Sequence, residues 1–157
     1  MTALLLRSAE DTAALGAAIA ATLAGLPGAV VYLQGPLGAG KTTVARGVLR
    51  ALGVSGAIRS PTYTLLEPYD TGGRALVHLD LYRLNGAHEL EPLGLRDYPP
   101  EHCWWLVEWP ERGAGRLPPP DLSVALAHDA RGRRAELGGR YAAAVAGRIP
   151  QATRIVD

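Results

Sequence analysis

The segment Ala29-Val30-Val31-Tyr32-Leu33-Gln34-Gly35-Pro36-Leu37-Gly38-Ala39-Gly40-Lys41-Thr42-Thr43 decides how this chain is read. Ala29 to Leu33 read as a short buried strand, and Gly35 to Thr42 match G-x-x-x-x-G-K-[ST], the spacing of a phosphate-binding loop. Lys41 to Leu52 then suit a helix, which Gly53 stops. Gly38 and Gly40 let the backbone turn its N–H groups inward around phosphate oxygens, where a Cβ would interfere. The start of the helix adds positive potential at the same spot. Lys41 is placed to reach β- and γ-phosphates, and Thr42 to offer its hydroxyl to Mg2+.

Working outward, that lysine is the only one in the chain, against 15 arginines. A length of 157 residues predicts one domain, residues 1–157. Hydrophobic residues at 48% and charged residues at 20% argue against disorder. The formal net charge of +1 is too balanced for a general nucleic-acid or membrane-surface binder. A lone cysteine, Cys103, excludes an internal disulfide framework or a cysteine zinc cluster and fits a reducing cytoplasm. His78, His88, His102 and His128 have no zinc-site spacing.

No charged side chain lies between Asp11 and Lys41, a run that could suggest a membrane span. Pro27-Gly28 interrupts it, and Leu15, Ile19, Leu23 and Leu26 recur at the spacing of an amphipathic helix. Ser8 and Asp11 supply its N-terminal cap. Ala3 to Leu6 is too short an apolar run for a signal peptide. The expectation is a cytoplasmic protein with no membrane role.

Hydrolysis needs acids beside the phosphate loop. Thr64 to Tyr69 and Ala75 to Leu79 read as a hairpin around Thr71-Gly72-Gly73, with Pro68 marking an edge strand. The second strand closes on Asp80, as the acid that orients Mg2+ does, although a strand-end cap would look the same. Cys103 to Val107 read as a strand buried on both faces, which puts Glu108 where ligands bind in open α/β sheets. Glu108 could coordinate metal or orient the attacking water; Glu111 is the weaker candidate. Trp109 fits a nucleotide or partner contact as well as core packing. Arg59 to Thr64 occupy the position of a switch, where Thr62 or Tyr63 would sense γ-phosphate or Mg2+, or simply form a turn. Leu122 to Ala127 and Arg133 to Leu137 read as a second hairpin, and Arg140 to Arg148 as a helix stopped by Pro150. The expected fold is a three-layer α/β P-loop NTPase domain with a mixed, partly parallel central sheet. Arg131, Arg133 and Arg134 could touch nucleotide or tRNA, but a solvated hairpin tip is the plainer expectation.

Together these residues resemble the TsaE (YjeE) family, bacterial P-loop ATPases of threonylcarbamoyladenosine synthesis in tRNA. The likeness rests on Ser8, Thr12, Leu15 and Gly16, on Gly35 to Thr43, and on Ser60-Pro61-Thr62-Tyr63-Thr64. It continues through His78-Leu79-Asp80-Leu81-Tyr82-Arg83-Leu84, Glu89 to Leu95, and Val107-Glu108-Trp109-Pro110-Glu111. The resemblance implies that Leu37, Gly38, Ala39, Gly40, Lys41, Thr42 and Thr43 bind ATP phosphates, with Thr12 near the nucleotide. It implies that Thr42 and Glu108 hold Mg2+, that Asp80 is the second acid at the metal, and that Lys41, Asp80 and Glu108 carry catalysis. It also implies that the ATPase supports a complex of TsaD and TsaB, with tRNA touched at most indirectly or weakly.

Departures are Pro99-Pro100 after Tyr98, the rigid Pro118-Pro119-Pro120, and a loosely matching tail beyond Asp121. No arginine finger is evident beyond Arg83 and Arg112, so slow turnover without partners is expected. A small-molecule kinase and a non-catalytic nucleotide-dependent scaffold are the rival classes. Guanine specificity of the N-K-x-D type would need a second lysine, which the chain lacks.

Overall fold

The computed structural model describes residues 2–59, 61–150 and 153–155. Its strands are β1 (Thr2–Leu6), β2 (Ala29–Gln34), β3 (Leu66–Asp70), β4 (Ala75–Asp80), β5 (Cys103–Glu108), β6 (Leu122–Asp129) and β7 (Gly132–Gly138). Its α-helices are α1 (Ala9–Leu23), α2 (Lys41–Ala51) and α3 (Ala142–Gly147). The strands form one sheet in the order β1-β7-β6-β2-β5-β4-β3. β2 pairs in parallel with both β5 and β6, and β4 pairs in parallel with β5. The two expected hairpins, β3–β4 and β6–β7, flank this parallel centre antiparallel. The mixed sheet therefore agrees with the sequence expectation, and β3 with its Pro68 is an edge strand.

Side-chain alternation assigns the two faces of the sheet. Val31, Leu33, Leu76, Trp104, Leu106, Val124 and Leu137 face the α-helices, joining Leu15, Ile19, Val44 and Val48 in the larger core. Val30, Val77, Leu79, Cys103, Trp105 and Val107 face the other way, against Leu81, Leu84 and Leu90. That second face is covered by 3₁₀ turns at Ala87–Leu93, Leu95–Asp97 and Pro110–Gly113, so the third layer is of short turns. β5 is buried along its whole length, as its unbroken apolar run predicts.

Local chemistry sets the helix starts. Ser8 Oγ accepts from Asp11 N–H, while Asp11 accepts from Arg7 N–H, a reciprocal cap at the head of α1. α1 ends at Leu23, so Leu26 lies beyond the helix but still packs on the core. α1 and α2 meet at Gly16 and Gly47, where backbone lies against backbone.

The apolar run at Ala3 to Leu6 belongs to β1, which pairs antiparallel with β7. A five-residue strand without alternation carries little periodic signal, and its partner lies near the other end of the sequence. β3 begins at Leu66, two residues later than expected. Leu65 takes a left-handed conformation (φ 66°) and its N–H bonds Pro61 carbonyl, so the chain is still turning there.

The lone cysteine is buried in β5, and burial pushes its thiol up to about 11. The folded state holds this proton more tightly than the unfolded chain, whose thiol titrates near ~8.5. Cys103 therefore favours folding below ~8.5 and loses that contribution as pH rises towards about 11. In native buffer near neutral pH, Cys103 is expected to resist alkylation and to react only after denaturant is added. Mass spectrometry of iodoacetamide-treated protein checks this, and rapid native labelling would contradict it.

Candidate functional site

The parallel centre of the sheet brings three chain segments to one edge. β2 runs out at Gln34 into the loop that precedes α2, and β4 and β5 end beside it with Asp80 opposite Glu108 in register. Gly38 (φ 77°) and Gly40 (φ 111°) adopt the left-handed backbone that the loop needs. Ala39 between them is fully buried in the core, so it anchors the loop and does not wall the cavity. Leu37 is 68% exposed at the rim.

Lys41 opens α2 and is 4% exposed. Its Nζ donates to the carbonyls of Gly35 (2.7 Å) and Pro36 (2.9 Å) and lies 4.2 Å from the centre of the Trp109 ring. Burial lowers its pKa, while the nearby Glu108, Asp80 and Glu111 pull the other way. Trp109 reaches that position by a left-handed turn (φ 57°) immediately after β5. A non-glycine residue held in this conformation is uncommon and concentrates at functional sites.

Glu108 is 2% exposed. Its Oε1 accepts from Thr42 Oγ1 at 2.8 Å, and its Oε2 lies 2.6 Å from His78 Nε2. Asp80, also buried, accepts from Thr62 Oγ1 (3.2 Å) and from Tyr82 N–H (3.1 Å). Burial raises the Asp80 pKa, and neighbouring Glu108 adds to the rise. The Tyr82 N–H and Thr62 hydroxyl oppose it.

These side chains surround a cavity of about 470 Å³, walled by Lys41, Thr42, Thr43, Asp80, Glu108 and Trp109 among others. The remainder of the wall includes Gly38, Gly40, Thr62, Tyr82, Arg83 and Arg133. Among the described residues, no three His, Cys, Asp or Glu side chains close on a metal position. The oxygen donors on the wall include the Thr42 hydroxyl and the Asp80 and Glu108 carboxylates. Mg2+ is commonly held by one or two carboxylates together with phosphate oxygens and water, so these hard donors fit it. The loop, lysine, hydroxyl and paired acids can together bind a polyphosphate and set a cation beside it.

Several other candidates are sorted by position. Thr12 is fully buried, with its hydroxyl donating to Ser8 carbonyl and accepting from Arg133 Nη1 at 3.4 Å. It stands behind Arg133 and outside the cavity wall. Of the switch segment, Thr62 reaches Asp80, whereas Tyr63 is 81% exposed beneath the Arg83 guanidinium; Ser60 lies outside the described residues. Arg83 lines the cavity, while Arg112 sits over the rings of Tyr82 and Trp109. Glu111 is exposed.

The arginine cluster divides. Arg131 pairs with Asp129 at the hairpin tip and Arg134 with Glu136. Arg133 instead reaches the phosphate loop, with Nη1 2.9 Å from where a Cβ on Gly40 would stand. Taking the whole cluster as a solvated tip thus misses Arg133. Its placement follows from the pairing of β7 with β1 and β6, which one sequence does not reveal. His78 was also missed as a site residue. The available signal was a polar residue inside an apolar strand, two positions before Asp80.

The class this architecture defines is the mixed-sheet α/β P-loop NTPase domain. The family model described as "Threonylcarbamoyl adenosine biosynthesis protein TsaE" matches residues 6–135. The chain belongs to the TsaE family. It is 50% identical over 97 residues to the "tRNA threonylcarbamoyladenosine biosynthesis protein TsaE" of Haemophilus influenzae. That match covers 62% of this chain and 61% of the relative, less than two thirds of either. The protein of the same description from Treponema pallidum is 39% identical over 122 residues, 76% of this chain and 87% of that one. The crystal structure of Bacillus subtilis YdiB superposes with a TM-score of 0.72 at 27% identity, covering 95% of each chain. Among the described residues, no helix is long and apolar enough to cross a membrane.

Proposed function

We propose that this protein is a Mg2+-dependent ATPase that supports threonylcarbamoyl modification of adenosine in tRNA, acting with TsaB and TsaD in the cytoplasm. The observation that carries the ATPase reading is the convergence of Lys41, Thr42, Asp80 and Glu108 on one cavity at the glycine-rich loop. The names of the TsaE relatives support the pathway.

In this reading the backbone N–H groups of Leu37 to Thr43 cradle the phosphates. Lys41 exchanges its bonds to Gly35 and Pro36 for bonds to β- and γ-phosphate oxygens. Thr42 and Glu108 hold Mg2+ with Asp80 beside them, and the ion when bound offsets charge spread over the phosphates. Asp80 or Glu108 orients the attacking water. Arg133, on the cavity wall beside Gly40, carries the positive charge that would meet the nucleotide there, and Thr12 behind it accepts from its guanidinium. Leu37, exposed at the rim, and Tyr63, exposed beneath the cavity-lining Arg83, suit a mouth that a partner covers.

The test is single-turnover ATP hydrolysis with and without TsaB–TsaD, comparing wild type with Glu108→Gln. Slow hydrolysis alone, partner stimulation, and loss in the variant by ~10²-fold or more are expected. Absence of partner-dependent hydrolysis in wild type would sink the reading. Consumption of ATP only with an added small-molecule acceptor would move it to a kinase. Equal partner activation by the variant would move it to a scaffold.

A further inference from the structure

His78 lies in the middle of β4, with Val77 and Leu79 on either side, and its ring is completely buried. It shares a face with Asp80, two residues on, and with Leu76, whose contacts lie in the helix-covered core. Nε2 lies 2.6 Å from Glu108 Oε2, whereas Nδ1 has no hydrogen-bond partner among the described residues. A buried N–H left without an acceptor is unfavourable, so the ring proton belongs on Nε2 and is donated to Glu108. The two oxygens of Glu108 are thus divided: Oε2 to His78 below, Oε1 to the Thr42 hydroxyl at the cavity.

These two donors are not equivalent. Thr42 walls the cavity and His78 does not. The Thr42 hydroxyl has lone pairs to offer a cation and can rotate as the cavity fills, while the buried imidazole below has no reason to move. Carboxylate ligands are held in aim by such outer hydrogen bonds, and losing one typically weakens metal binding ~10–100-fold.

We propose that His78 is the positioning residue of Glu108: its Nε2–H fixes Oε2 so that Oε1 stays aimed at Thr42 and the cation beside the phosphates. The proposal rests on the Mg2+–ATP reading above. It distinguishes His78 from a core residue that merely fills space, because only the hydrogen bond, not the ring volume, matters to Glu108.

Gln and Asn separate the two roles. The side-chain amide nitrogen of Gln reaches about where Nε2 stands, whereas that of Asn reaches only the place of Nδ1. The experiment titrates Mn2+ by electron paramagnetic resonance in the presence of a non-hydrolysable ATP analogue, using wild type, His78→Gln and His78→Asn. Asn is expected to weaken Mn2+ binding ~10–100-fold. Gln should retain most of the affinity, and binding of the analogue without divalent ion should be unchanged in both. Wild-type Mn2+ affinity in His78→Asn, or an equal loss in both variants, overturns the proposal. Failure of wild type to bind Mn2+ with the analogue overturns the ATPase reading as well, and so marks that failure separately.

Wild-type protein supplies a second readout should a variant not fold. Nitrogen-15 NMR of the His78 imidazole should show the proton on Nε2, protected from exchange, with a resonance that moves when Mg2+ is added with the analogue. A proton on Nδ1, or a resonance indifferent to Mg2+, overturns the proposal.

Discussion

Lys41→Ala is expected to lower ATP hydrolysis by ~10²-fold or more while leaving the fold nearly as stable as before. It is the only lysine in the chain, so no neighbouring lysine can take its place. The cavity retains the guanidinium groups of Arg83 and Arg133, but Arg83 is held over Tyr63 and Arg133 beside Gly40 and Thr12. Neither occupies the point between the loop carbonyls and Trp109. Lys41→Arg should not restore activity either, since a planar fork does not fit where a compact ammonium bonds two carbonyls under an indole.

Stability should change little for a reason visible in the loop. Gly35 is half-buried and Pro36 exposed, so water can satisfy the carbonyls that Lys41 releases. Removing the ammonium also removes positive charge from beside Asp80 and Glu108, which weakens any anion already attracted there. Calorimetric binding of ATP and single-turnover hydrolysis measure the loss, and thermal melting measures the stability. Lys41→Ala with full activity would be incompatible with the proposed site.

Gly47→Ala, unlike Lys41→Ala, is expected to act first on stability, destabilising the fold by about 2 kcal/mol. A Cβ at Gly47 would stand 2.4 Å from Ala13 carbonyl oxygen and 3.1 Å from the Ala13 Cα. Gly16 on α1 meets Val44 carbonyl oxygen (2.4 Å), Val48 N and the Gly47 Cα in the same way. All of these are backbone atoms, which cannot rotate aside as a side chain could. The helices must therefore separate, opening the core between Leu15, Ile19, Val44 and Val48. Overpacking of this kind costs ~1–3 kcal/mol and occasionally more. The gain of ~1 kcal/mol from Ala over Gly in a helix offsets only part of a backbone clash.

Urea unfolding reads this directly, and unchanged stability would mean that α1 and α2 do not approach as described. Activity should fall too. α2 carries Lys41 and Thr42 at its head, and a misplacement of even ~1 Å can cost ~10²-fold in rate.

How far the sequence revealed the molecule varies with the range of the interaction. Gly35 to Thr42, Asp80 and Glu108 were readable because strand ends and a fixed motif spacing bring them together in any parallel sheet of this kind. The hairpins were readable from turn glycines and the edge position of β3 from Pro68. β1 was not, since its partnership with β7 is set by distant pairing and not by its own pattern. Arg133 was hidden for the same reason. His78 was hidden differently: a lone histidine in a strand has many ordinary explanations, and only the position of Glu108 on the neighbouring strand gives this one a task.

The central place of β2 in the sheet has a kinetic consequence. The hairpins β3–β4 and β6–β7 close over short stretches of chain and can form early. β2 must wait for β5, reached through register pairs such as Val31 with Leu106, and for β6 through Val31 with Leu122. Bringing such distant segments together is entropically slow, so folding should be limited by parallel docking and not by helix formation. Thr42 and Glu108 lie 66 residues apart and meet only when that docking is complete. During synthesis, then, the glycine-rich loop emerges well before Glu108, and a nascent chain stopped short of that residue lacks the acceptor of the Thr42 hydroxyl.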